Sequence, residues 1–279
     1  MFTFTSAKFL AGGILTGLVC AALAIEVAAQ QSTTAPDLST NQTAWIGMGG
    51  DFLPIPGAPG PKPVTFDPKH PYVPNNTGRQ PTYRIADLTH PNLKPWVKER
   101  MKKDNDEILA GKIGYTARSS CAAAGVPGFL TYPVRPVYFI QAPKQVVMVY
   151  SGDAQVRRVY LNVPHSENPQ PTWYGESVGH YEGDTLVIDT IGLNDKSFVD
   201  YYRTPHTEKL HVVERWKLLD DGKILEVKFT VTDPDTYYEP WSAFRRFRRV
   251  QQDYVEEVCA ENNQHLFDYK IPVANKPDF

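Results

Sequence analysis

The chain has 279 residues, with 29 basic and 31 acidic side chains, a formal net charge of -2 and a pI near 6.4. It lacks the basic excess that nucleic-acid binding requires. It also contains no GxxxxGK[ST] phosphate loop, no GxGxxG dinucleotide fingerprint and no GxSxG nucleophile elbow, since Ser177 in GESVG breaks that spacing.

Residues 1–29 read as an export signal. Lys8 supplies the charged start, FLAGGILTGLVCAALAI the apolar run, and Val27-Ala28-Ala29 the small-residue cleavage site, so the mature chain is expected to begin at Gln30 in the periplasm or outside the cell. The run is short for a membrane span and is followed by Glu26, not by a basic stop-transfer cluster, so no span is expected after cleavage. Cleavage removes Cys20 and leaves Cys121 and Cys259. Two cysteines in an oxidising compartment are expected to form a disulfide closing a loop of more than a hundred residues.

Residues 30–92 are rich in proline, glycine and asparagine and predict an extended arm, because proline fixes φ and removes a backbone donor. A single domain follows over 93–279. It opens with a helix in KPWVKERMKKDNDEILAGK: Pro95 suits the first turn, Val97, Met101, Ile108 and Leu109 approximate one face, and Gly111 suits the stop.

From about residue 127 the pattern changes to short β-prone runs. QVVMVY (145–150), QVRRVYLN (155–162), GHYEGDTLVIDTI with a turn at Glu182-Gly183-Asp184, and ERWKLLDDGKILEVKFTVTD with a turn at Asp221-Gly222 predict successive hairpins. Leu225, Val227, Phe229 and Val231 alternate with polar residues, giving one dry and one wet face. The basic run Arg245 to Arg249 around Phe247 reads as a solvated strand face, with an anion site as the alternative. Hairpins without intervening helices imply a mainly β fold, an antiparallel meander forming a lipocalin-like barrel, with a β-sandwich as the alternative.

The blocks WYGESVGHYEGDTLVIDTIGLNDKSF, PHTEKLHVVERW and DPDTYYEPW give the stretch from about 120 to 262 a resemblance to a large set of exported bacterial proteins described only as hypothetical. They recur in that set in the same order. The resemblance implies a family but no activity. His180 stands where the set more often carries an aromatic residue.

PHTEKLH places His206, Glu208 and His211 close together. In a strand starting near Glu208, alternation separates Glu208 from His211, which weakens an H-x-E-x-x-H metal reading and leaves zinc as a minor alternative to a cofactor-free site. Asp189 lies in TLVIDTI, apolar on both faces, so its carboxylate needs a partner, and His211 or Arg215 on a neighbouring strand could supply one. An Asp–His pair orients an imidazole for acid/base work or ties two strands together. His206, His211, Asp189 and Glu208 are therefore the candidate catalytic residues. Arg215, Trp173, Tyr181, His180, Trp216 and Tyr238 are candidates for contacting a small molecule in an aromatic-lined barrel cavity. The function expected is hydrolysis, elimination or isomerisation of a small, partly apolar or carbohydrate-like molecule. The alternative is a carrier that binds such a ligand without reacting.

Overall fold

A computed structural model describes residues 35–74, 83–117, 121–132, 135–152, 155–256 and 259. The export signal and the Gln30 start lie outside the described residues. The main architecture is a closed β-barrel. Its strands are β1 (Thr43–Gly47), β2 (Leu53–Pro54), β3 (Val137–Ala142), β4 (Gln145–Tyr150), β5 (Gln155–Leu161), β6 (Glu176–Glu182), β7 (Thr185–Ile191), β8 (His211–Leu219), β9 (Ile224–Thr232) and β10 (Trp241–Gln251). β3 to β10 follow in sequence order, and β1 pairs with both β10 and β3, closing a ring of nine strands; β2 pairs with the first half of β10.

The barrel expected from the hairpin pattern is therefore present, with one difference from an antiparallel meander. β5 and β6 run parallel, with Val159 opposite Ser177 and Leu161 opposite Gly179. A two-residue turn cannot join parallel neighbours, so a crossover over 162–175 does so. It is pinned by backbone bonds from Asn162 N to Gly179 O (2.8 Å), Thr172 N to Gly192 O (3.0 Å) and Asn194 N to Thr172 O (2.8 Å).

The arm is not merely extended. It supplies β1, and Trp45 in that strand is fully buried, donating its indole N–H to Leu38 O at 3.1 Å while the Arg249 guanidinium stacks on its ring at 4.4 Å. α1 (Pro95–Leu109) buries Val97, Met101 and Ile108, whereas Leu109 is exposed. Asn105 on its buried side clamps the Ala86 backbone from both sides, accepting from its N–H and donating to its carbonyl at 3.0 Å each. No helix among the described residues is long and apolar enough to cross a membrane.

Strand alternation fills the barrel with Phe139, Leu186, Ile188, Val212, Trp216, Leu225, Val227, Phe229 and Phe247, each no more than 2 % exposed. Trp216 packs edge-on against Phe139 with ring centroids 5.4 Å apart. Within this apolar interior lies one polar knot. Arg157 of β5 donates to both oxygens of Glu214 on β8, to Thr190 Oγ1 at 2.7 Å and to Ser177 Oγ at 3.1 Å. Arg245, expected on a solvated face, points inward and is buried, whereas Arg246 and Arg248 are exposed. Cys121 and Cys259 stand at disulfide distance, their Cα atoms 5.5 Å apart.

Candidate functional site

The polar groups that sequence spacing singles out are divided among three places. β7 and β8 direct Leu186, Ile188, Thr190, Val212, Glu214 and Trp216 inward, so Asp189 and His211 emerge on the outer flank of the barrel. There His211 Nε2 donates to Asp189 Oδ1 at 2.9 Å. The same carboxylate oxygen receives His165 Nε2 at 2.9 Å, and His165 Nδ1 faces Glu176 Oε1 at 3.0 Å. Ser166 completes the line, giving its backbone N–H to Glu176 Oε1 and its hydroxyl to Oε2, both at 2.7 Å.

The result is a continuous relay, Ser166–Glu176–His165–Asp189–His211, joining the crossover to β6, β7 and β8. Its side chains are partly exposed, from 21 % for His165 to 40 % for His211. The hydrogen bond from His211, with a second from His165, holds the Asp189 carboxyl below its ordinary value against the opposing effect of burial. The same bond raises the His211 imidazole. Bonds from Ser166, and then from His165, lower Glu176.

His180 and Arg215 share the flank one pleat further along, and both bind Glu182. His180 Nε2 lies 3.0 Å from Oε1 and Arg215 donates to Oε2 at 2.5 Å, which brings the Glu182 carboxyl down to about 2. Val178, Val187 and Val213 lie among these charged groups on the same face.

His206 is elsewhere, buried in the loop before β8. Its Nδ1 donates to Thr207 O at 3.1 Å, so Nε2 is the acceptor for the Ser197 hydroxyl at 3.0 Å, and burial lowers its pKa. It therefore serves as a neutral internal tie. Glu208 lies in an exposed turn, because β8 begins at His211 and not near Glu208. Trp216 belongs to the barrel core, and Tyr181 accepts from Gln141 Nε2 at 2.8 Å and packs against that core. Trp173 is half-buried in the crossover, and Tyr238 is exposed with the Lys94 ammonium 5.8 Å above its ring.

Two relay members, His165 and Glu176, have no periodic signal in the sequence. PHSEN is a loop, and only the parallel pairing of β5 with β6 brings it over β7. Among the described residues no group of three His, Cys, Asp or Glu side chains is arranged to hold a metal ion. In the relay the Nε2 atoms of His165 and His211 are instead both spent on Asp189 Oδ1. No family model matches the chain, and no curated protein matches it.

Proposed function

We propose that the protein is a periplasmic enzyme acting on a small, partly apolar or carbohydrate-like molecule by acid/base chemistry without a cofactor, with His211 as the proton-transferring group. The observation that carries this reading is the His211–Asp189 pair at 2.9 Å on an accessible flank. Asp189 fixes the tautomer by accepting from Nε2, which leaves the Nδ1 lone pair to take a proton, from the attacking water in hydrolysis or from a substrate C–H in elimination and isomerisation, and the resulting imidazolium is stabilised by the carboxylate. The imidazolium then gives that proton to the leaving group in hydrolysis and elimination, or to another carbon of the same molecule in isomerisation, so all three fit one proton carrier. His165 and Glu176 hold Asp189 from the far side, and Val213, two residues from His211 on the same face, offers apolar contact beside the reacting nitrogen. The barrel interior is packed, so the substrate is taken up on the flank.

The test is an untargeted metabolite screen with purified protein, comparing wild type with His211→Ala. The reading predicts a metabolite consumed by wild type, turnover lowered by about 10²–10⁴-fold in the variant, and an unchanged unfolding midpoint. A metabolite retained but never altered, by either protein, would make this a carrier.

A further inference from the structure

A second feature lies apart from the relay, where three guanidinium groups gather around Tyr201. Arg84 stacks between the rings of Tyr72 (3.8 Å) and Tyr201 (4.4 Å) and donates to Asp51 Oδ1 at 2.7 Å. Arg245, 1 % exposed, donates among the described residues only to backbone carbonyls, those of Leu130 (3.1 Å), Asp51 (2.9 Å) and Gly49. The loop bearing those carbonyls can approach this closely because residue 50 is glycine. A Cβ there would stand 2.6 Å from the Arg84 guanidinium and 3.0 Å from the Tyr201 ring.

Arg203 is the third. It is 5 % exposed and is held at φ 60, a conformation that disfavours an ordinary side chain. Its NH2 donates to Arg84 O at 3.0 Å, while its Nε has no partner among the described residues. Of the three cations only Arg84 has a salt bridge among the described residues. The nearby Asp200 carboxylate is already taken by the Tyr202 and Thr204 amides and the Thr204 hydroxyl, at 2.8–3.2 Å. Burial lowers both Arg203 and Arg245, the latter to about 10, and outweighs the opposing charges of Asp104 and Asp200 near Arg203 and of Asp51 near Arg245.

Arg203, Tyr201 and Asp200 line a small cleft, about 20 Å³, together with Thr116, Ala124 and Gly128, and the Asp200 carboxylate there is engaged by the Tyr202 and Thr204 bonds. Asp104 and Asp200 act on the Arg203 charge, yet neither takes its Nε–H, so the guanidinium keeps an unfilled hydrogen-bonding position where buried polar groups are normally paired. We propose that this cleft binds a carboxylate group through Arg203. Carboxylate matches the planar donor fork of arginine, and the recess has room for little more than the head group. The head group comes either from a free short acid or from the end of a larger molecule that stays outside the cleft. The cleft and the relay share no residue, so either assignment can fail alone.

The experiment is thermal unfolding and calorimetric titration of the full chain with formate, acetate and hexanoate, against chloride at equal ionic strength, repeated with sulfate and phosphate. A saturable rise in melting temperature with a carboxylate is expected, with affinity falling at least about tenfold in Arg203→Gln through loss of a charge-assisted bond. Should that variant not fold, Ala124→Val narrows the cleft while keeping Arg203 and is expected to lose the response as well. Formate or acetate acting without hexanoate identifies a free small acid, and hexanoate acting alone identifies a larger molecule; both uphold the site. No carboxylate response in wild type, an equal one in both variants, or a response to sulfate and phosphate alone overturns it.

Discussion

His211 holds its proton more tightly than an ordinary imidazole because Asp189 accepts its Nε2–H, and Asp189 releases its own more readily for the same reason. The signs of the two shifts bound a pH window. The His211 contribution to stability is full below the unfolded imidazole value, about 6.5, and is lost as pH rises through the raised folded value. The Asp189 contribution is full above the unfolded carboxyl value, about 3.9, and is lost as pH falls through the lowered folded one. Both partners are well over a third exposed, so solvent screening keeps the pair below about 1 kcal/mol. Its consequence for catalysis is larger. With His211 acting as base, kcat/KM is expected to rise with pH and level off above an inflection higher than about 6.5. In Asp189→Asn that inflection should move down towards the ordinary imidazole value as the rate falls. A pH–rate profile of the two proteins measures this, and an inflection common to both would show that Asp189 does not act through His211.

At the scale of elements, β5, β7 and β8 are tied by the Arg157–Glu214 knot, whose side chains are 2 % and 0 % exposed. A buried ion pair contributes little net stability, yet removing one partner strands a charge in an apolar interior. Glu214→Ala should therefore lower unfolding free energy by about 3–5 kcal/mol, whereas Arg157→Met with Glu214→Leu should recover most of it. Guanidinium unfolding of the three proteins checks this; equal destabilisation by the single and double changes would mean that packing, not stranded charge, dominates. The same elements show what could be read in advance. β4 coincides with QVVMVY, and β9 turns Leu225, Val227, Phe229 and Val231 inward as their alternation predicts. Alternation also carried the answer for Arg245, since Trp241, Ala243 and Phe247 share its face; treating the basic run as one solvated surface hid it. The need of Asp189 for a partner was legible, but the direction in which it points was not. TLVIDTI is apolar on both faces because Val187 is buried even on the outer side. His165 and β1 gave still less warning, since long-range pairing places both and no local pattern does.

For the whole molecule, Cys121 and Cys259, 138 positions apart, bring the chain beyond β10 to the loop before β3. Constraining so long a loop in the unfolded chain is worth about 4–5 kcal/mol by loop-closure entropy. Cys259→Ser should thus lower stability by a few kcal/mol, with a similar loss when wild type is reduced, and denaturing thiol labelling of untreated wild type should find neither cysteine free. Reactive thiols at Cys121 and Cys259 would exclude the bond. The ring itself has an arithmetic that no side chain can alter. Strands that alternate in direction close on themselves only when their number is even, and this ring has nine. One like-directed pair is therefore obligatory, and it falls between β5 and β6. A hairpin turn cannot make that joint, so a longer connection must be laid across the outside of the barrel, and this connection carries His165 and Ser166 to Asp189 and Glu176. The odd count thus makes a surface segment that an even barrel of the same kind would not need. Removing or adding one strand would abolish the parity mismatch and, with it, the reason for the relay's loop to be there.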